Sequence, residues 1–225
     1  MTTTHTTLIS FPEISLLARD AHKLRGFFGN YFREASPLLH NHLEGGKLKY
    51  GYPLVQYKVL NKVPHLLGLN EGAELLRDLF LSMDKIEIEG QTFPVFAKNI
   101  RYQKEEIGIV EDLHTYHFET PWMALNEQNH ALYLQYSEER QKDQIKGIAI
   151  RNLLNVLKDL GYPMSKEMPR VLASFRQTKQ METGFKNNKM LAFLGELTTN
   201  VLLPDYIGLG KSVSRGYGVI CREKG

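Results

Sequence analysis

The sequence predicts an α+β fold of two tandem ferredoxin-like (RRM-like) domains, residues 1–104 and 105–225, the second less regular than the first. Three observations predict it. Two stretches of the first half carry apolar residues at three- and four-residue spacing, the signature of a helix face. Runs rich in Val, Tyr, Leu and Ile lie around them, bounded by turn residues, so that the first half reads βαββαβ. The second half starts a similar order with no sequence repeat and no low-complexity linker; the boundary is read in the charge-rich "YQKEEIGIVED".

Leu8, Ile9 and Phe11 mark the first strand, and Leu17, Ala21, Leu24, Phe28 and Tyr31 the face of the first helix. "YGYPLVQYKVLNKVPHLLGLN" is expected to be two strands reversing at Asn61. Asn70 is placed to cap a second helix with the stripe Leu75, Leu76, Leu79, Phe80 and Met83. "KIEIEGQTFPVF" is expected to supply the closing strand of the first domain, with Ile86 and Ile88 alternating with Glu87 and Glu89. The second domain begins with a strand at "LHTYHFE". A helix follows, opened by the charge run "SEERQKDQIK" and carrying Ile145, Ile148, Leu153, Val156, Leu157 and Leu160 inward, and it stops at Gly161 and Pro163. "RVLASFRQTKQ" and "KMLAFLGELTTNV" are β-prone, with "METGFKNN" reversing the chain between them and the second helix reduced or absent. A last strand, Tyr217 to Arg222, includes the only cysteine, Cys221, expected as a small buried apolar residue. The only tryptophan, Trp122, is expected to anchor the junction between a strand and the next helix.

Composition sets bounds on function. Apolar residues at 42% and charged residues at 24% are ordinary for a folded domain, and one cysteine excludes an internal disulfide framework and a cysteine-cluster zinc site. Twenty-eight basic against 25 acidic residues give +3, so any polyanion footprint must be a local patch. With neither a signal-peptide layout nor a membrane-length apolar run, a cytoplasmic location is the expectation.

"GLGKSVSRGYG", Gly208 to Gly218, holds four glycines and two cations. A Walker A loop would need glycine where Asp205 stands, and a dinucleotide fingerprint would need glycine in place of Val213. What remains is a loop whose backbone amides at Gly208, Gly210, Gly216 and Gly218 can approach an anion, with Lys211, Ser212 and Arg215 to contact phosphate oxygens. A plain glycine-rich turn with solvated cations fits the same pattern.

His40 and His42 point to one side if their backbone is extended, and two imidazoles titrating near neutrality can serve as general base and general acid. Half of a zinc site and two unrelated histidines are the competing readings of the same spacing. Lys47, Lys49 and Lys58 supply positive charge beside the pair, and Tyr50, Tyr52 and Tyr57 interleave with them in a pattern suited to stacking on bases or to strand packing. His5, His22, His65 and His130 show no partners in the sequence.

Taken together, "LLHNHL", "YGYPLVQYK", "FETPWMALN" and "GLGKSVSRGYGVI" resemble the CRISPR-associated repeat-processing endoribonucleases, in the branch associated with type I-B systems, over nearly the whole chain. The resemblance implies two ferredoxin-like domains, His40 and His42 at the catalytic positions, Tyr50 as a third member, and a glycine-rich loop that helps to hold RNA. It also implies cleavage of precursor CRISPR RNA within the repeat, with no metal and no cofactor, leaving 5′-OH and 2′,3′-cyclic phosphate ends. The expected partners are CRISPR repeat RNA and guide RNA, with no membrane; a multi-subunit effector complex and a homodimer are the protein assemblies it leaves open. The rival reading is a guide-RNA-binding subunit of an effector complex that does not cut, and a metal-dependent phosphodiesterase is a remoter one.

Overall fold

Asn61 and Lys62 both take left-handed backbone, φ 50° and 68°, the geometry of a two-residue hairpin turn whose twist matches its strands. The turn joins β2 (Val55–Leu60) to β3 (Val63–Leu69), antiparallel from Leu60 opposite Val63 to Val55 opposite Gly68. The hairpin therefore reverses at the residue the sequence marked. The structure is a computed structural model and describes residues 1–31, 51–185 and 188–223. It divides into an N-terminal unit, Thr3–Glu105 with Val213–Gly216, and a C-terminal unit, Met1–Thr2, Glu106–Ser212 and Tyr217–Gly225.

In the N-terminal unit β1 (Thr2–Ser10) lies antiparallel to β3, and the strand order is β2-β3-β1-β6, that of a split β-α-β unit. The first helix, α1 (Ala21–Tyr31), starts later than its apolar stripe suggested: Ala18–Asp20 form a 3-10 turn, and the Leu17 amide donates to the Asp20 carboxylate at 3.0 Å. Asn70 occupies the N-cap of α2 (Glu71–Leu79), but its side chain does no capping. Its Oδ1 accepts from the Thr4 hydroxyl at 3.0 Å and the His5 amide at 3.2 Å, which ties the helix start to β1. Gly72 lets α2 close down on the chain, because a Cβ there would stand 2.2 Å from the Leu54 carbonyl oxygen. Ile9, Phe11, Leu24, Phe28, Tyr57, Leu66 and Leu76 share one core with Ile86 and Ile88.

One expectation needs correction. "KIEIEGQTFPVF" is not the closing strand: β4 (Lys85–Ile88) turns at Glu89 and Gly90, φ 53° and 79°, and pairs only with β5 (Gln91–Pro94) in a separate two-stranded sheet. The outer place beside β1 belongs to β6 (Asn99–Phe118), a 20-residue strand that passes from the N-terminal to the C-terminal unit between Glu105 and Glu106. Its first residues are nearly all exposed, so their charges face water while the backbone stays in the ladder.

In the C-terminal unit β9 (Ile220–Arg222) pairs with β6, β6 with β8 (Asn188–Leu202), and β8 with β7 (Ala173–Phe185), again the ferredoxin-like order. The helices are α3 (Glu127–Tyr133) and α4 (Glu138–Asp159). "METGF" is strand rather than turn, since pairing continues to Phe185 opposite Asn188. No second helix follows β8; between it and β9 lie the glycine stretch and one 3-10 turn, Val213–Arg215. Cys221 is half-buried rather than enclosed. Trp122 is fully buried, stacked on Phe118 at 5.2 Å between ring centroids and edge-on to Phe175 and Phe193. Among the described residues no helix is long and apolar enough to cross a membrane.

Candidate nucleic-acid interface

The glycine stretch begins as the arm of a small antiparallel pairing. The Ile220 amide donates to the Ile207 carbonyl at 2.9 Å, and Leu209 donates to Gly218 at 2.8 Å, so Gly208 and Gly218 sit in backbone pairing. The "FETPWMALN" segment runs alongside: Lys211 donates to the Met123 carbonyl at 3.1 Å, Gly218 to that of Pro121 at 3.0 Å, and Val219 to the Thr120 hydroxyl at 2.9 Å. Trp122 exchanges both backbone hydrogen bonds with Phe193, at 2.8 and 3.0 Å. Two segments singled out 90 residues apart thus form one scaffold in the C-terminal unit.

The scaffold explains the glycines. Gly210 has φ 85°, and a Cβ there would come 2.6 Å from Trp122 Nε1 and 2.8 Å from the Met123 carbonyl oxygen. A Cβ on Gly218, φ 67°, would stand 2.0 Å from the Leu209 carbonyl oxygen. Ser212 holds left-handed backbone, φ 56°, without being glycine, a conformation an L-residue adopts at a cost of about 1 kcal/mol. Its side chain and that of Lys211 are half-buried, at the point where the loop turns.

Val213–Gly216 pack with the N-terminal unit. Gly216 is buried, and its Cβ position lies 2.9 Å from Ala21 Cβ and 3.2 Å from the Tyr57 carbonyl oxygen, so the turn rests on α1 and β2. Arg215 beside it is exposed. Sequence reasoning passed over Arg25, on α1. It stands half-buried, and desolvation, with the Arg215 guanidinium as second cause, holds its pKa below the usual arginine value. The available signal was a lone cation between Ala21 and Phe28 on an otherwise apolar helical stripe.

Of the other predicted residues, Lys58 is fully buried in β2 and donates from Nζ to Gln56 Oε1 at 2.8 Å, so it presents no ammonium to solvent. Tyr57 is a core residue stacked on Phe28, centroids 6.1 Å apart, which supports packing rather than base stacking. His65 Nδ1 donates to the Val63 carbonyl at 2.8 Å, and His5 Nδ1 is hydrogen-bonded to the Tyr102 hydroxyl at 2.6 Å. His40, His42, Lys47, Lys49 and Tyr50 lie outside the described residues. Among the described residues, no three His, Cys, Asp or Glu side chains converge as a metal site.

Two family models account for nearly the whole chain: the Cas6b N-terminal domain matches residues 2–106, and the Cas6b C-terminal domain matches residues 108–223. The chain belongs to the Cas6b family. A crystal structure of a Cas6b is 29% identical, covers 99% of this chain and all of its own, and superposes with a TM-score of 0.91. A second, described as the CRISPR RNA processing endoribonuclease Cas6b, is 28% identical over 99% of this chain and all of its own, with a TM-score of 0.78. Thermus thermophilus Cas6 (TTHB231), at 14% identity, 98% coverage of both chains and a TM-score of 0.54, shares the fold. Uncharacterized protein MJ0978 of Methanocaldococcus jannaschii is 29% identical over 145 residues, 64% of this chain and 97% of its own length.

Proposed function

We propose that this Cas6b chain cleaves precursor CRISPR RNA within its repeats by a metal-independent transesterification. Membership of the Cas6b family over both halves is the observation that supports the endonuclease; the His40-Asn41-His42 pair supports the chemistry. One imidazole takes the proton from the 2′-OH beside the scissile phosphate, and the other protonates the departing 5′ oxygen. The attack forms the 2′ O–P bond as the P–O5′ bond breaks, leaving a 2′,3′-cyclic phosphate and a 5′-OH. Lys47 or Lys49 offsets the charge of the phosphorane, with Tyr50 as third member of the site, and the loop residues Lys211, Ser212 and Arg215 position the backbone.

The test is single-turnover cleavage of the repeat RNA by wild type, His40→Ala and His42→Ala. Each substitution slows cleavage by about 10² to 10⁴ while RNA affinity stays near wild type. Unchanged rates in both variants remove the pair from the site, and tight binding by wild type without any cleavage gives the chain to the non-cutting, guide-binding reading.

A further inference from the structure

Arg25 and Arg215 form a cationic pair with no carboxylate on either member among the described residues. Some other cations do meet acids: Lys23 lies 2.7 Å from Asp20, Lys85 lies 2.7 Å from Glu87, and Arg176 is forked onto Glu196. The pair is a product of the fold rather than of a flexible surface. Ala21, Arg25 and Phe28 stand at i, i+4 and i+7, one stripe of α1. At one end of the stripe Ala21 touches the Gly216 turn; at the other Phe28 stacks on Tyr57. Arg25 is held between these two contacts, with Arg215 projecting from the turn that Ala21 supports.

Tyr57 is the buried neighbour of Arg25. Its residue is 1% exposed, and its hydroxyl has no hydrogen-bond partner among the described residues. A buried hydroxyl left unpaired costs stability, and the Arg215 charge acting on a desolvated Arg25 adds repulsion. Desolvation raises the Tyr57 pKa, so the phenol keeps its proton as a donor, and the nearby Arg25 charge acts on it in the opposite sense. Two guanidinium groups brought together by one helix and one turn of the unit are what a single phosphodiester anion would satisfy, their forks matching phosphate oxygens.

We propose that Arg25 and Arg215 jointly grip one phosphate of the bound RNA as a positioning clamp. The clamp rests on the RNA-processing reading above and assigns to it one further group, Arg25, on an element remote in sequence from the glycine stretch.

The experiment measures equilibrium binding of the full-length protein to its repeat RNA at several salt concentrations, for wild type, R25Q, R215Q and the double variant. Each single substitution weakens binding about tenfold. The double variant falls well short of the roughly hundredfold product expected of independent contacts. Its log-log salt slope flattens by about 0.7, one single-strand phosphate, rather than about 1.4. Thermal melting of R25Q shows a Tm no lower than wild type, because a desolvated cation repelled by another is removed; a merely structural arginine would lower Tm and leave the salt slope alone. R25Q binding like wild type, or a double variant with multiplied loss and a slope change near 1.4, overturns the clamp while wild-type binding and cleavage leave the RNA-processing reading standing. Should R25Q not fold, exposed R215Q carries the test, and wild-type affinity and slope there overturn the clamp equally. Absence of RNA binding by wild type overturns both.

Discussion

Gly210→Ala is predicted to loosen the joint between the glycine stretch and the Trp122 segment. Two costs add. An L-residue held at φ 85° is disfavoured by about 1 to 2 kcal/mol relative to glycine. The new methyl would also stand 2.6 Å from Trp122 Nε1 and 2.8 Å from the Met123 carbonyl oxygen, both held in place: the indole by Phe118, Phe175 and Phe193, the carbonyl by the Lys211 amide. Overpacking of that kind costs about 1 to 3 kcal/mol. Together the destabilisation is about 2 to 5 kcal/mol, and at about 2 to 4 °C per kcal/mol for a chain of this size Tm falls by roughly 4 to 20 °C. The assay has a built-in local probe, since Trp122 is the only tryptophan and is fully enclosed. The variant's emission should shift to the red in the folded state as water reaches the indole. An Ala variant with wild-type Tm and wild-type emission would refute the wedge and the argument that glycine is required there for space.

Glycines without that constraint behave oppositely. Gly26 in α1 has nothing within 4 Å of its Cβ position, and Gly147 in α4 has only Arg151 Nη1 at 3.8 Å, so G26A and G147A each gain about 1 kcal/mol of helix stability in urea unfolding; a loss in either would show its helix face to be covered. His65 sets a pH dependence: burial first, then the Lys58 cation opposite it in the β2–β3 ladder, holds its pKa below the usual histidine value against the bond to Val63. The unfolded chain therefore takes up the proton first. Stability from this group is intact above about pH 6.5 and is lost as pH falls through the lower folded value. Between pH 7 and pH 5 wild type should lose more unfolding free energy than His65→Gln; equal losses would refute the assignment.

Local pattern was enough for most of the fold. The Asn61 reversal, the core stripe of α1, the inward face of α4 and the missing second helix of the second half all follow from periodicity and turn residues, because local sterics and burial act on neighbouring residues there. The errors arose where pairing depends on the far side of a sheet. Ile86 and Ile88 alternate as any strand would, and nothing local says that their partner is the next hairpin arm rather than β1. The charged start of β6 did not read as strand because its exposed side chains hide a paired backbone. At the site, the glycine positions were readable from composition, and their reasons were not: Gly210 answers to Trp122 and Gly216 to Ala21, contacts 88 and 195 residues away in sequence. Lys58 shows the reverse failure, a cation assigned to the surface that the fold encloses.

The account stands or falls on the chemistry of the cut. Wild-type protein in excess EDTA is mixed with its repeat RNA, and in parallel with the same RNA carrying a single 2′-deoxy nucleotide immediately upstream of the scissile phosphate. The account predicts undiminished cleavage of the first, with 5′-OH and 2′,3′-cyclic phosphate ends, and no cleavage of the second. Loss of cleavage in EDTA that is restored by a divalent metal, or a deoxy substrate cut as fast as its parent, would contradict it.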